Sequence, residues 1–182
     1  EAAGTPAAPS GLPGGPDLDE DIIREFVLEG NEQLADAGTR LLALEQDPSD
    51  EEALNAVFRS FHTIKGLAGF LALADLEASA HAAEDLLDRA RGQKLVLQGA
   101  AIDLVFQATE VLEQLIRQVG DCLATKSWPP PGLAQVPTLV DAIRSLLASI
   151  DEDAARTTHA HDEQSEHPEH PEQRDDDAGR AA

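Results

Sequence analysis

The chain is short of several residue types, and each shortage removes a class of protein. It holds one cysteine, no methionine, no tyrosine and one tryptophan, with 13 basic residues against 35 acidic ones and a net charge of −22 over 182 residues. A single thiol, Cys122, allows no internal disulfide, so nothing points to secretion. Its plain reading is a small apolar residue in or beside a helix. Binding to nucleic acid or to an anionic membrane surface needs clustered cations to displace counterions, and this chain lacks them. No apolar run approaches the roughly 20 residues that span a bilayer. There is no signal-peptide pattern, and the chain opens at Glu1 without a methionine. A segment of a longer cytoplasmic protein is therefore the expectation.

What remains is helical. Residues 1–16 are mostly Ala, Gly and Pro and read as a disordered leader or linker. Residues 151–182 are acidic, lack an apolar period and read as a disordered tail or tether. That tail holds His159, His161, His167 and His170, which could bind a metal ion weakly but lack a fixed geometry; a solvated tail is the simpler reading. Between the flanks, residues 17–150 carry apolar stripes at helical spacing. The first helix is expected over 19–46, ended by Asp47-Pro48. A second opens at Ser49, with Glu52 completing a capping box. A third runs from Asp75 to Arg91, closed by Gly92. A fourth spans 100–125, and after Pro129–Pro131 a fifth spans Thr138–Ile150. Aromatics are few and β-branched runs absent, so the fold class is all-α, an up-down bundle.

The informative residues lie on the second and third helices. His62 and Glu84 are centred on residue 73, and so are Lys65 and His81. If the chain turns back there, in Leu71-Ala72-Leu73-Ala74-Asp75, an antiparallel pair sets the four at matching heights. His62 falls on the flank of its helix's apolar stripe, and Glu84 holds the equivalent flank of its own. That places an imidazole at the rim of a groove beside a carboxylate. The arrangement suits a phosphoryl acceptor. Imidazole is largely neutral and nucleophilic near pH 7, and a carboxylate on one ring nitrogen fixes the tautomer that leaves the other free. Lys65 and Arg59, three residues to either side of His62, could partner phosphoryl oxygens.

Gly66 and Gly69 follow His62 by one and two turns. Each costs a helix about 1 kcal/mol relative to alanine, and their bare surface would let a partner's backbone reach the ring. They could equally serve close helix packing. Phe70 points off the stripe and could join a docking patch, but packing against the first helix is the expected reading. Taken singly, these residues are ordinary: a helical histidine is usually a surface residue, and Lys65, Arg59 and Glu84 would pass as surface charge. Their joint register inside an amphipathic helix pair makes the case.

The stretch from Asp19 to Val119 resembles the histidine phosphotransfer domain that begins chemotaxis histidine kinases of the CheA type. The residues that carry this are Leu54-Asn55-Ala56-Val57-Phe58-Arg59-Ser60-Phe61-His62-Thr63-Ile64-Lys65-Gly66, then Ala68-Gly69, His81, Glu84 and Leu86-Leu87-Asp88. The resemblance implies a four-helix bundle with a fifth helix, His62 as the phosphorylated residue, and Glu84 bonded to its ring. Lys65 and His81 would complete the polar site. It also implies that a separate ATP-binding kinase domain, using ATP and magnesium, loads the histidine. A CheY-like response-regulator receiver would then take the group onto an aspartate. This chain has no nucleotide-site motif and no cofactor of its own is expected, so alone it should be inert. One position departs from the pattern: many members carry a glycine ten residues after the histidine, and here Ala72 stands there.

Two other readings share these residues: a phosphorelay intermediate loaded by a receiver, and a helical docking module that is not phosphorylated. A bundle-core metal protein is disfavoured, since no helix carries an inward Glu-x-x-His pair.

Overall fold

The computed structural model describes residues 20–162; the leader expected over 1–16, together with His167 and His170, lies outside them. The described residues form five helices and no strand: α1 (Glu20–Gln46), α2 (Glu51–Phe70), α3 (Ala74–Arg91), α4 (Ala100–Thr125) and α5 (Gln135–Asp162). Helices α1 to α4 close into a ring in which α1 touches α2 and α4, and α3 touches α2 and α4. Short loops force each helix to run against the one before it.

The apolar stripes meet on the axis. Ile23, Phe26, Leu34 and Leu41 of α1 face Val57, Phe61 and Ile64 of α2, Ala80, Ala83 and Leu87 of α3, and Val105, Leu112 and Ile116 of α4. The first turns of α5 add Val136, Leu139, Val140 and Ile143 to this core. Cys122 is buried, and burial, then the charge of Asp121, pushes its thiol up, so it stays protonated and apolar. No described helix is long and apolar enough to cross a membrane.

Three helices differ at their ends from the sequence expectation, each for a local reason. Ser49 does not cap α2; its N–H and hydroxyl both donate to Asp47 Oδ1, at 3.0 and 2.6 Å. Asp50 is the cap, accepting from Ala53 N–H at 2.9 Å, so the box of Ser49 and Glu52 does not form. Helix α5 begins at Gln135 rather than Thr138, with Pro137 in its first turn, where the missing N–H has no intrahelical partner to lose. It also continues to Asp162, past Ile150, where the apolar period stops. The prolongation is rich in helix formers (Asp151-Glu152-Asp153-Ala154-Ala155-Arg156), and Arg156 pairs with Asp153 one turn away. The expected tail therefore starts as helix over its first twelve residues, 151–162.

The third difference concerns α3. Gly92 sits at φ −75°, and the left-handed residue is Gln93 at φ +56°. The turn between α2 and α3 uses the same device. Ala72 takes φ +55°, its N–H donates to Gly69 O at 3.2 Å, and Leu73 N–H donates to Ala68 O at 2.9 Å. These paired bonds satisfy the carbonyls at the end of α2 and fix the reversal about residue 73. An L-residue in this conformation costs about 1–2 kcal/mol, which glycine avoids. Ala72 is exposed, so replacing it loses no packing. Ala72→Gly should raise stability by about 0.5–1 kcal/mol after the entropy cost of glycine. A thermal melt a few degrees higher checks this; a lower midpoint would refute it.

Candidate functional site

Helix α3 packs against α2 and α4 and carries small buried residues, Ser79, Ala80, Ala82 and Ala83, which let neighbouring backbones come close. Glu84 is the next residue along, buried at 9% exposure in the seam. Across from it on α2, His62 follows the fully buried Phe61 by one helical step and so turns to the rim. His62 Nδ1 lies 2.9 Å from Glu84 Oε1, while 61% of the imidazole side chain is open to solvent. Lys65, one turn on, brings Nζ to 2.9 Å from Oε1 and 2.7 Å from Oε2 of the same carboxylate. Its contact with Oε2 is the shorter but lies off the hydrogen-bonding direction, so it acts there as an ion pair.

Burial pushes the Glu84 carboxyl up, but hydrogen bonds from Lys65 and His62, with their charges, outweigh it. The net position is below the ordinary carboxylate value. Glu84 is therefore an anion at neutral pH. Against an anion, the nearer imidazole nitrogen carries its hydrogen: Nδ1–H donates to Glu84, and Nε2 keeps its lone pair. The ring is thus held by one edge and presents the other, nucleophilic edge to water.

The remaining expected residues fall into place unevenly. His81 does not pair with Lys65. Its Nε2 lies 3.6 Å from Asp85 Oδ1 on its own helix, and Lys65 goes instead to the buried carboxylate, a stronger partner for an ammonium than a neutral ring. Arg59 is exposed and has no hydrogen bond or ion pair among the described residues. A side chain built on Gly66 would meet nothing within 4 Å, and one on Gly69 would touch the Glu77 carboxylate at an ordinary 3.5 Å. Neither glycine is required by packing among the described residues. Phe70 is 63% exposed at the mouth of a groove lined by Ile22, Phe26, Thr63 and Leu67, so α1 covers little of it.

Two contacts escaped the sequence reading. Phe58 stacks beside the His62 ring, centroids 6.0 Å apart and planes within 16°, and Arg91 from the end of α3 lies over Phe58. The first was legible as an i, i+4 pair on α2. The second depends on how α3 crosses α2, which no spacing reveals.

The Hpt domain family profile matches residues 21–123, more than half of the chain and all of the site. The chain belongs to the Hpt domain family. Among curated relatives, this Hpt domain is 31% identical over 128 residues to the chemotaxis protein CheA of Treponema pallidum, covering 70% of this chain and 15% of that protein. It is 32% identical over 139 residues to CheA of Halobacterium salinarum, covering 76% of this chain and 20% of the relative. The Hpt chain thus spans a fifth or less of the length of these relatives. Among solved structures, the CheA phosphotransferase domain from Thermotoga maritima superposes with a TM-score of 0.54 at 29% identity. That match covers 56% of this chain and 96% of the other.

Proposed function

We propose that this Hpt domain carries a phosphoryl group on Nε2 of His62. An ATP-binding kinase domain of a chemotaxis-type histidine kinase supplies the group, and an aspartate of a response-regulator receiver removes it. One observation carries the reading: the imidazole is bonded to a buried anion through Nδ1, while its other edge stands open at the rim. In the loading step the Nε2 lone pair forms a bond to the γ-phosphorus as the bond to the β,γ-bridging oxygen breaks. ADP leaves with that electron pair, and Nδ1 keeps its proton against Glu84. The positive charge that develops on the ring is then offset by the carboxylate behind it. Transfer to an aspartate is the same step reversed, with the carboxylate oxygen as nucleophile.

ATP and magnesium belong to the partner domain in this scheme. Lys65 offsets part of the Glu84 charge, which lowers the repulsion of a doubly charged phosphoryl group, and Arg59 is the unengaged cation nearest the acceptor on α2. The open surface at Gly66 and the exposed Phe70 give a partner room to close over the ring. Both curated relatives described above are chemotaxis CheA proteins, which favours a kinase-loaded cytoplasmic domain over a receiver-loaded intermediate.

The test is incubation with a CheA-type ATP-binding kinase core and labelled ATP. An acid-labile, alkali-stable label is expected; no label, despite binding of the kinase core or a receiver, would replace this reading with a docking module. Lys65→Ala should slow labelling roughly tenfold, about 1.4 kcal/mol in the barrier. Its circular dichroism and melting midpoint should stay close to wild type, because Lys65 reaches solvent and Glu84 keeps His62. Equal rates would remove the assigned role.

A further inference from the structure

Glu84 fixes which nitrogen of His62 is free, but a single hydrogen bond at one edge does not fix the plane of the ring. An imidazole at a rim can still swing about that bond. Something must hold its face if Nε2 is to meet phosphorus in line.

The structure offers one surface for this. Phe58, one turn before His62, lies nearly parallel to it at 6.0 Å between centroids. That distance falls within the range where stacked rings attract. Phe58 is partly buried and packs against the core, and it is also contacted from α3: the guanidinium carbon of Arg91 lies 4.0 Å from the Phe58 centroid. Arg91 is itself anchored. Its Nε donates to Asn55 Oδ1 at 2.8 Å, and Nη1 lies 3.7 Å from Asp88 Oδ1. Asn55 is oriented in turn, because its amide Nδ2 donates to the Glu51 carbonyl at 2.8 Å. A chain of fixed contacts thus runs from the α2 backbone through Asn55 and Arg91 to Phe58, and so to the imidazole face.

We propose that Phe58 and Arg91 are positioning residues for phosphoryl acceptance: Arg91 clamps Phe58, and Phe58 holds the plane of the His62 ring. The proposal rests on His62 being the acceptor. In this scheme Arg91 acts as a clamp rather than as a phosphoryl ligand: Nε is held by Asn55 and the guanidinium lies against the Phe58 face. A lysine would not replace it, because an ammonium has no plane to lay on a ring.

The experiment compares wild type with Phe58→Leu, Phe58→Tyr, Arg91→Ala and Arg91→Lys by kinase-core labelling and by NMR relaxation of the His62 ring. Phe58→Leu and Arg91→Ala should lower kcat by roughly five- to tenfold, because misaligned reacting atoms cost rate. KM for the kinase core should hold. Ring order should fall while the tautomer, set by Glu84, remains Nδ1–H. Phe58→Tyr should retain both rate and order; Arg91→Lys should not restore them. Wild-type kcat in both damaging variants would overturn the proposal, and so would a lower rate with unchanged ring order, which would assign the loss to packing. If wild type takes no label, the phosphotransfer reading falls instead, and the relaxation data alone decide whether the stack holds the ring.

Discussion

His62→Gln is expected to take no label above background from the kinase core, while folding as wild type does. Glutamine is close in size but has no lone pair on nitrogen that can attack phosphorus. The wild-type imidazole is 61% exposed, so the core does not depend on it. What the variant loses in structure is the stack with Phe58 and the bond from Nδ1–H to Glu84, which keeps Lys65 as its partner, so the stability change is expected at about 1–2 kcal/mol. A melting curve and the labelling reaction on the same preparation separate the two effects. Persistent label on His62→Gln would mean another acceptor. His81 would be the one to examine, since its side chain is equally exposed and sits on the adjoining helix.

The second large effect is expected at Glu84. With Glu84→Ala, Nδ1–H loses its acceptor, both tautomers become populated, and the charge that offsets the phosphorylated ring disappears. Labelling should slow by roughly 10- to 100-fold, the usual cost of removing a carboxylate that orients a functional histidine. Lys65 is left without its partner but retains access to water, so the variant should fold. Acid adds an independent check. The folded-state value of Glu84 lies below its ordinary 4.5, so its stabilising contribution is complete above that value. It is lost as pH falls through the lower, folded-state value. Urea midpoints measured from pH 7 downward should therefore drop less steeply in Glu84→Ala than in wild type below about pH 4.5. Parallel curves would show that the seam does not hold Glu84 as an anion.

Much of this site could be read before the fold was known because it is made of registers. Apolar spacing located α1 to α4 to within two residues but stopped twelve residues short of the end of α5, and a shared midpoint at residue 73 joined His62 to Glu84 through arithmetic alone. The reading weakened wherever two local solutions were nearly equal in energy. Ser49 and Asp50 are both competent caps, and the choice turned on Asp47 capturing the Ser49 donors. Gly92 looked like the left-handed stop of α3, yet Gln93 took that conformation. The arithmetic that paired His62 with Glu84 also paired Lys65 with His81. There it failed, because a flexible four-carbon stem seeks the nearest buried charge rather than the residue opposite.

By itself, then, the sequence determined the all-α bundle, the reversal after α2, and an imidazole at the rim facing a carboxylate. Each of these follows from periodicity and chain direction, which are local properties of a helix. Only the tertiary structure decided that Lys65 shares Glu84 with His62, and that Arg91 reaches over Phe58. Such contacts depend on the distance and angle at which two helices cross. Those are set by the summed packing of small and large side chains along the whole seam, a quantity that no single spacing encodes.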